Sequence, residues 1–270
     1  MRLGMSIDTK ELAEIQSIKA LYPLLRHVSV GYESIVPAPM IDWSILKNED
    51  ISISLHPLDI NINSTIDKSR LRCLSRNTKN SKFIYLEEDL GLWLKGNMFL
   101  GSHLLNPPLT QETIDTSAKN IINVQMHTQT PLAIENPPIY WTPQEMDFWD
   151  FFAELCSVAK CKFAFDVGHY IGWALASNKG IRIPSKSHPV WQNIITIHIS
   201  GIRLWHWFGL QVWSDKHNHL LSPILLDIAE AVICRAQENI HCVLLEMEFA
   251  SGVTKKENIN LLMSRGFNFS

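Results

Sequence analysis

The sequence has few cysteines, and no two of them lie at the spacing of a redox motif or a thiolate metal site. The total is five, an odd number, with no Cys-x-x-Cys pair. This argues against a disulfide framework and against a structural zinc site held by thiolates. We expect each cysteine to be a small buried hydrophobic residue, as free cysteines usually are. The five are Cys73, Cys156, Cys161, Cys234 and Cys242.

The chain also lacks a basic run and a long apolar run. It has 24 lysine and arginine residues against 27 acidic residues, and its formal charge of -3 gives no electrostatic signal for nucleic acid. No apolar stretch approaches the ~20 residues that a membrane-spanning helix requires. The first residues, MRLGMSIDTK, are too polar for a signal segment. We therefore expect a cytoplasmic protein that binds neither nucleic acid nor a membrane.

Short apolar or β-branched segments alternate with amphipathic segments along most of the chain. Segments that are apolar throughout are typical of parallel strands covered on both faces. Eight strands alternating with helices predict an α/β protein with a (β/α)8 TIM-type barrel, in a single domain that spans residues 1–270. The predicted strands lie at about residues 2–6, 27–31, 51–56, 82–86, 131–135, 162–166, 194–199 and 242–247.

Helix signals lie between the predicted strands. Residues 110–127 carry an apolar stripe, and the segment from 222 starts another helix with proline at its first position. The sequences TPQE at 142–145 and TKKE at 254–257 have the pattern of capping boxes and predict the starts of two more helices. The second of these is predicted to end at Gly266, since glycine favours the left-handed conformation that follows a helix.

Two long insertions, at about residues 87–109 and 200–221, follow the ends of predicted strands. In a barrel of this kind the loops after the strands form the catalytic face, so we expect these two to cover a site or bind a substrate. The second insertion contains the aromatic segment IRLWHWFGLQVW. Two interpretations remain open for it: a lid packed on the barrel, and an apolar wall for a peptide or aromatic substrate.

Side chains that bind metals lie where the predicted strands end. Because the carboxyl ends of parallel strands meet at one rim of a barrel, these side chains are expected to converge. Three converging carboxylates would repel one another, and no arginine or lysine follows these strands closely enough to neutralise them. A metal ion is the simpler counter-charge, and mixed imidazole and carboxylate ligands suit iron, with manganese or zinc as alternatives. The candidates are His56, Glu135, Asp166, His198, Asp215, His217 and Glu246.

Some of these residues also have ordinary structural interpretations. His56 alone is compatible with a hydrogen-bonded histidine at a strand end, and His198 with a satisfied histidine of the core. His169 follows Asp166 by three residues and can face the same cavity, while Glu248 shares the strand parity of Glu246. We assign His169 and Glu248 as candidate catalytic groups.

The ordered motifs resemble the multinuclear non-heme iron-dependent oxidases, relatives of the methanobactin-biosynthesis oxidase that modify ribosomally made peptides. The resemblance extends from about residue 2 to residue 250, and its specificity comes from the order and spacing of short motifs. These are SLHPLDI, LLNPPLTQE, IENPPIY, FDVGHY, IHISG, the Asp-x-His at 215–217, and LLEME.

The resemblance implies a TIM-type barrel that holds one to three iron ions, with the seven residues listed above as ligands. It also implies that O2 oxidises a Cys, Asp or Asn side chain of a precursor peptide, which a small peptide-recognition partner protein delivers. Three residues after the aspartate of FDVGHY, the family commonly has asparagine, and this chain has His169.

One segment departs from the family pattern. After the fourth strand the family usually shows the tripeptide Ser-Glu-His or Ser-Asp-His, followed three residues later by an aromatic residue. The stretch aligned with it here is Glu88-Asp89-Leu90, followed by Trp93. Leu90 does not bind iron, so one metal position lacks a ligand unless Glu88, Asp89 or His103 replaces it. A mononuclear or dinuclear centre is therefore an open alternative to a trinuclear one.

Two other functions remain open. Xylose-isomerase-like sugar or keto-acid isomerases and the related abasic-site endonucleases also place Glu, Asp-x-x-His, His and Glu at strand ends, and Asp166-Val-Gly-His169 matches them better. The near-neutral charge argues against the endonuclease branch, because DNA binding requires phosphate neutralisation. The third possibility is a barrel without metal that only binds a partner, and Leu90 is the residue that favours it.

Overall fold

The computed structural model describes residues 1–32, 43, 50–79, 82–95, 98–100, 106–137, 145–207 and 210–269. Eight parallel strands in this part of the chain close into a barrel in chain order, with the last strand paired to the first. The predicted (β/α)8 barrel is therefore confirmed. Its strands are β1 (Arg2–Asp8), β2 (Leu25–Tyr32), β3 (Ser52–Pro57), β4 (Leu86–Asp89), β5 (Leu132–Glu135), β6 (Lys162–Asp166), β7 (Ile194–Ile199) and β8 (Cys242–Leu245).

Helices connect most of these strands and cover the outside of the barrel. None of the helices in the described ranges is long and apolar enough to span a membrane. They are α1 (Ile15–Leu21), α2 (Lys68–Thr78), α3 (Gln111–Thr128), α4 (Phe148–Ala159), α5 (Val167–Ala176), α6 (Pro223–Ala236) and α7 (Gly252–Ser264).

An aromatic layer packs α4 and α5 against β6. Phe152 of α4 stacks on Phe163 of β6 with ring centroids 4.5 Å apart, and Phe148 contacts Tyr170 and Trp173 of α5 at 4.9 Å. Burial of large aromatic side chains is one of the strongest stabilising contributions to a core. The layer therefore holds the carboxyl end of β6 in a fixed position.

Two predicted helix starts are wrong. α4 begins at Phe148 with Asp147 as its cap, because the backbone amides of Glu145 and Met146 donate to Leu109 and are tied to the segment before α3. Residues 142–144 lie outside the described residues. α7 begins at Gly252, because the Ser251 hydroxyl accepts the amide of Thr254 and caps the helix one turn earlier than predicted.

Other local signals agree with the structure. Thr110 caps α3 with its side chain, and α6 starts at Pro223 after Ser222. Gly266 follows α7 with φ of +85°, as expected for a residue after a helix end. Among the cysteines, four are buried, but Cys234 is exposed. The expectation that each cysteine is buried was therefore wrong for Cys234, which lies on the solvent side of α6.

The fourth strand lies further along the chain than predicted. It comprises Leu86–Asp89 and pairs in register with β5, so that Asp89 is opposite Glu135. The prediction of a strand at 82–86 failed because the apolar pattern ends where the acidic residues Glu87, Glu88 and Asp89 begin. All three are nevertheless buried in the barrel wall. The loop predicted from residue 87 therefore starts at Leu90.

The insertion after β7 contains an antiparallel hairpin, with Gly201–Trp207 paired to Leu210–Lys216. Its second strand lies against α5. Trp205 is part of this hairpin and is covered on its ring by the cations of Arg203 and Lys216. Asp215 lies opposite Ile202 near the base of the hairpin, so the hairpin brings Asp215 to the rim where the barrel strands end.

Candidate metal centre

Four predicted ligands converge at the carboxyl rim of the barrel. Each offers a ligand atom, and these atoms all lie within 4.8 Å of one another. Glu135 ends β5, Asp166 ends β6, His198 belongs to β7, and Glu246 directly follows β8. All four are buried. Four adjacent parallel strands therefore bring three carboxylates and one imidazole to a common point.

A second group shares one of these residues. His56 at the end of β3, Asp89 at the end of β4, and Glu135 also have ligand atoms within 4.8 Å of one another. Glu135 Oε2 is 3.5 Å from His56 Nε2 and 3.3 Å from His198 Nδ1. This carboxylate thus lies between the two groups and belongs to both.

A third set of side chains forms the more exposed edge of the site. His217 Nδ1 is 2.6 Å from Glu248 Oε2, and its Nε2 is 2.8 Å from Asp215 Oδ2 and 3.9 Å from Glu246 Oε2. His217 and Glu248 have side-chain exposures of 25% and 26%. Glu248, predicted as a catalytic group, therefore reaches the centre through His217.

His169 lies inside the site. Its Nδ1 is 2.8 Å from the carbonyl oxygen of Asn136, and since a carbonyl only accepts, this ring nitrogen donates. Its Nε2 is directed at Asp215, 3.6 Å from Oδ1. The backbone contact fixes a proton on Nδ1, so Nε2 faces the acidic cluster and is the nitrogen that becomes a ligand when metal displaces its proton. This geometry is as suitable for a metal ligand as for the catalytic role predicted from the sequence.

Several buried ligand atoms have no hydrogen-bond partner within the described residues. They include Glu135 Oε2, Asp166 Oδ2 and His198 Nδ1, all of which belong to the four-residue group. An unsatisfied buried carboxylate oxygen costs a few kcal/mol, so several of them in one place are rarely retained without a function. A cation between these atoms satisfies all of them, and the residues present therefore suit a metal ion.

Burial and charge crowding alter the proton affinity of the site. Burial raises the pKa of Asp166 to about 8; His169 opposes the rise, and the neighbouring Glu246 and Glu135 add to it. Burial lowers the pKa of His56, but Glu135 and Asp89 outweigh this effect and raise it to about 9. In the same way Asp215 and Glu248 overcome burial and raise the pKa of His217 to about 11.

The metal-free cluster therefore holds protons near neutral pH. The pKa of His198 is also raised well above its usual value, because Glu87, Glu135 and Glu246 together outweigh the effect of burial. Within the described residues, histidine side chains form the ion pairs with the carboxylates of the site. Metal ligands must be deprotonated, so metal binding at such a site displaces protons.

The structure corrects the interpretation of Leu90. Leu90 is completely buried in the hydrophobic core, whereas Asp89 Oδ2 is 3.9 Å from His56 Nε2. Of the three proposed replacements, Asp89 lies in the site, Glu88 faces Asp59 and Trp93 instead, and His103 lies outside the described residues. Because Asp89 lies with His56 and Glu135, Leu90 no longer favours a barrel without metal.

Sequence reasoning missed Glu87 and Asn136. Glu87 Oε1 is 2.7 Å from His198 Nε2. Asn136 exchanges two hydrogen bonds with the backbone of Asp166, at 2.8 and 2.9 Å, and ties the end of β5 to the end of β6. The alternation of side chains along a strand was a usable signal for Glu87, because residues 87 and 89 point to the same face of the strand. No comparable signal marked Asn136.

Comparison with known proteins gives one family and several distant relatives. The sequence model of the RiPP precursor modification enzyme MbnB/TglH/ChrH family matches residues 6–257. UPF0276 protein VP3015 of Vibrio parahaemolyticus is 24% identical over 132 residues, 48% of this chain and 46% of the relative. UPF0276 protein VV3194 of Vibrio vulnificus is 22% identical over 179 residues, 64% of this chain and 60% of the relative. The matches thus span about half of the first relative's length and 60% of the second's, less than two thirds in both cases.

Solved structures of low sequence identity share the barrel. A xylose isomerase-like TIM barrel protein from Mycobacterium smegmatis, in complex with magnesium, has a TM-score of 0.56 at 10% identity and covers 95% of this chain and 87% of its own. A xylose isomerase domain containing protein from Salmonella typhimurium has a TM-score of 0.56 at 12% identity and covers 96% of each chain. Identity this low shows the fold alone. The family match, in contrast, includes every residue of the two ligand groups, and the chain belongs to the MbnB/TglH/ChrH family of RiPP precursor modification enzymes.

Proposed function

We propose that the protein is an iron- and O2-dependent oxidase that modifies a Cys, Asp or Asn side chain of a ribosomally made precursor peptide. The observation that carries this proposal is the pair of buried ligand groups that share Glu135. Membership of a family of precursor-modifying enzymes supports the peptide substrate. The donor set supports iron, because imidazole and carboxylate ligands without thiolate suit iron, with manganese or zinc as alternatives.

The two groups define which residues would hold each ion. One ion would be held by Glu135, Asp166, His198 and Glu246, and a second by His56, Asp89 and Glu135. Asp215 and His217 lie at the open edge of the first group and would complete the coordination there, or hold a third ion with His169. Bound iron would supply the one-electron and dioxygen chemistry that amino-acid side chains do not provide.

The protein's own residues would orient the reacting groups and exclude water. The four-residue group is enclosed by the barrel wall and is almost inaccessible to solvent. Access is therefore expected from the side of His217 and Glu248, which are partly exposed. Glu248 would hold a proton on His217 Nδ1 through their short contact, which fixes the orientation of that imidazole at the entrance.

Exposed aromatic side chains near this entrance are suited to a peptide. Phe249 is 81% exposed and stacks on His217 with ring centroids 6.4 Å apart. Trp205 in the neighbouring hairpin is 41% exposed. We propose that the precursor peptide binds on this side, delivered by a small peptide-recognition partner protein. The aromatic hairpin would then act as a wall for the substrate rather than as a closed lid.

The proposal is tested with protein purified without oxygen from iron-supplemented cells. We would measure the iron content, the Mössbauer spectrum and the O2 uptake in the presence of the precursor peptide. An Asp166→Asn variant, in which one ligand is altered, is the control. We expect bound ferrous iron and O2 uptake that depends on the peptide, and both decrease in the variant. Wild-type protein without bound iron, or without peptide-dependent O2 uptake, would overturn the proposal.

One observation favours a divalent-metal isomerase as the second candidate. Asp166 and His169 both face the site, as the Asp-x-x-His pattern of xylose-isomerase-like enzymes requires. Such an enzyme would act on a sugar or keto acid with redox-inactive manganese, magnesium or zinc. Turnover of such a substrate without oxygen would favour this candidate over the oxidase.

A further inference from the structure

Glu87 is a buried carboxylate that belongs to neither ligand group. It lies in β4, two residues before Asp89, and has no solvent exposure. Its Oε1 is 2.7 Å from His198 Nε2, on the side of the imidazole opposite the ligand cluster. Since a carboxylate only accepts, His198 donates its Nε2 proton to Glu87. This contact is short enough to be a charge-assisted hydrogen bond.

The second oxygen of Glu87 is held by hydroxyl groups from two other strands. Ser29 of β2 donates to Oε2 over 2.7 Å, and Ser54 of β3 does so over 3.4 Å. His27 Nε2 lies 3.1 Å from the Ser54 hydroxyl. Donors from β2, β3 and β7 therefore fix the carboxylate, and its geometry does not depend on a mobile side chain.

The opposite nitrogen of His198 faces the metal groups. Its Nδ1 is 3.0 Å from Glu246 Oε1 and 3.3 Å from Glu135 Oε2. Neither contact has hydrogen-bond geometry. Metal binding displaces protons from the cluster, and in the neutral imidazole a proton held on Nε2 leaves the lone pair on Nδ1. The Glu87 contact therefore selects the tautomer that binds metal through Nδ1.

We propose that Glu87 is a positioning residue that fixes the tautomer and ring orientation of His198 for metal binding through Nδ1. This inference rests on the metal centre of the proposed function but not on its oxidase chemistry. A carboxylate in this position also increases the basicity of the imidazole and therefore its affinity for a cation. Glu87 is not itself expected to bind the metal, because it contacts His198 Nε2 while the ligand groups lie at Nδ1.

Glu88 provides a matched control on the same strand. It is equally buried but faces the other side of the barrel wall. Burial raises its pKa well above the usual value, and the negative charges of Asp59 and Asp89 add to this effect. A Glu88→Gln change keeps the size and shape of the side chain at a buried position of the same strand. It makes no contact with His198 that would alter the tautomer.

The test uses Zn²⁺ alone as a diamagnetic probe with protein freed of metal. Chelator competition gives the affinity of the wild type and of the Glu87→Gln, Glu87→Ala and Glu88→Gln variants. Proton-nitrogen NMR of protein labelled in histidine gives the protonation of His198. We expect Glu87→Ala to weaken zinc binding about 10- to 100-fold, as is usual for loss of such a partner. Glu87→Gln keeps an acceptor and weakens binding less, while Glu88→Gln behaves as the wild type.

The spectra separate positioning from a general effect on folding. In the wild type we expect a strongly hydrogen-bonded Nε2 proton on His198 and zinc on Nδ1. In Glu87→Gln this proton signal moves upfield, because its acceptor loses its charge. An unchanged signal in Glu87→Gln, or zinc on Nε2 in the wild type, would overturn the inference even if Glu87→Ala fails to fold. Wild-type protein that binds no zinc would instead contradict the metal centre itself.

Discussion

The crowded carboxylates give a clear prediction about the stability of the metal-free protein. Asp166 has a pKa of about 8 in the folded protein because of its burial, against the ordinary value of 3.8. Between these two values the folded state holds a proton that the unfolded state has lost. The free energy of unfolding must therefore fall as pH rises through this interval, by about 1.4 kcal/mol per pH unit for this one group.

The Asp166→Asn variant isolates this contribution. Asparagine keeps the side-chain oxygen that accepts the His169 amide at the start of α5 but does not titrate. Between pH 5 and pH 7 the unfolded aspartate is ionised and the folded one is protonated. Over these two pH units, metal-free wild-type protein should lose about 2.7 kcal/mol more than the variant.

Urea unfolding in the presence of a chelator, followed by tryptophan fluorescence, measures the difference. The comparison of slopes matters, because His56 and His217 also have raised pKa values and add losses of the same sign above about pH 6.5. Those losses are common to both proteins. Equal slopes in the wild type and the variant between pH 5 and pH 7 would contradict the raised pKa of Asp166.

Three further outcomes follow from the same geometry. Ferrous or zinc ions added to metal-free protein at pH 8 should raise its free energy of unfolding by about 2.7 kcal/mol when free metal is a hundredfold above the dissociation constant, as thermal or urea unfolding will show. Glu135→Gln should reduce the number of bound ions measured by equilibrium dialysis, because both ligand groups use this residue. Phe152→Ala should lower the free energy of unfolding by about 3–5 kcal/mol, because its ring stacks on Phe163 in the core; a loss below 1 kcal/mol would contradict that packing.

The barrel was predictable because most of its strands are short apolar or β-branched segments that alternate with helices. The strand-end rule also predicted where Glu135, Asp166, His198 and Glu246 would lie, since a parallel barrel brings all its carboxyl ends to one rim. The family predicted from the order of motifs is confirmed by the match to residues 6–257. These features depend on patterns that repeat along the chain, and a single sequence displays them.

The fourth strand was mispredicted for a physical reason. Acidic residues usually indicate the end of a buried strand, but here Glu87 contacts His198 and Asp89 lies near His56 inside the barrel. A pairwise contact such as Glu87 with His198 joins residues 111 positions apart, and no local pattern indicates it. The start of α4 failed similarly, because backbone contacts of Glu145 and Met146 with Leu109 outweigh the local capping signal.

The iron stoichiometry of anaerobically purified protein, measured together with its Mössbauer spectrum, tests the metal centre most directly. We expect two ferrous ions per chain in the wild type, because two ligand groups share the Glu135 carboxylate. We expect fewer in Glu135→Gln. Wild-type protein that binds no iron, or a Glu135→Gln variant with the full wild-type content, would contradict the two-group metal centre.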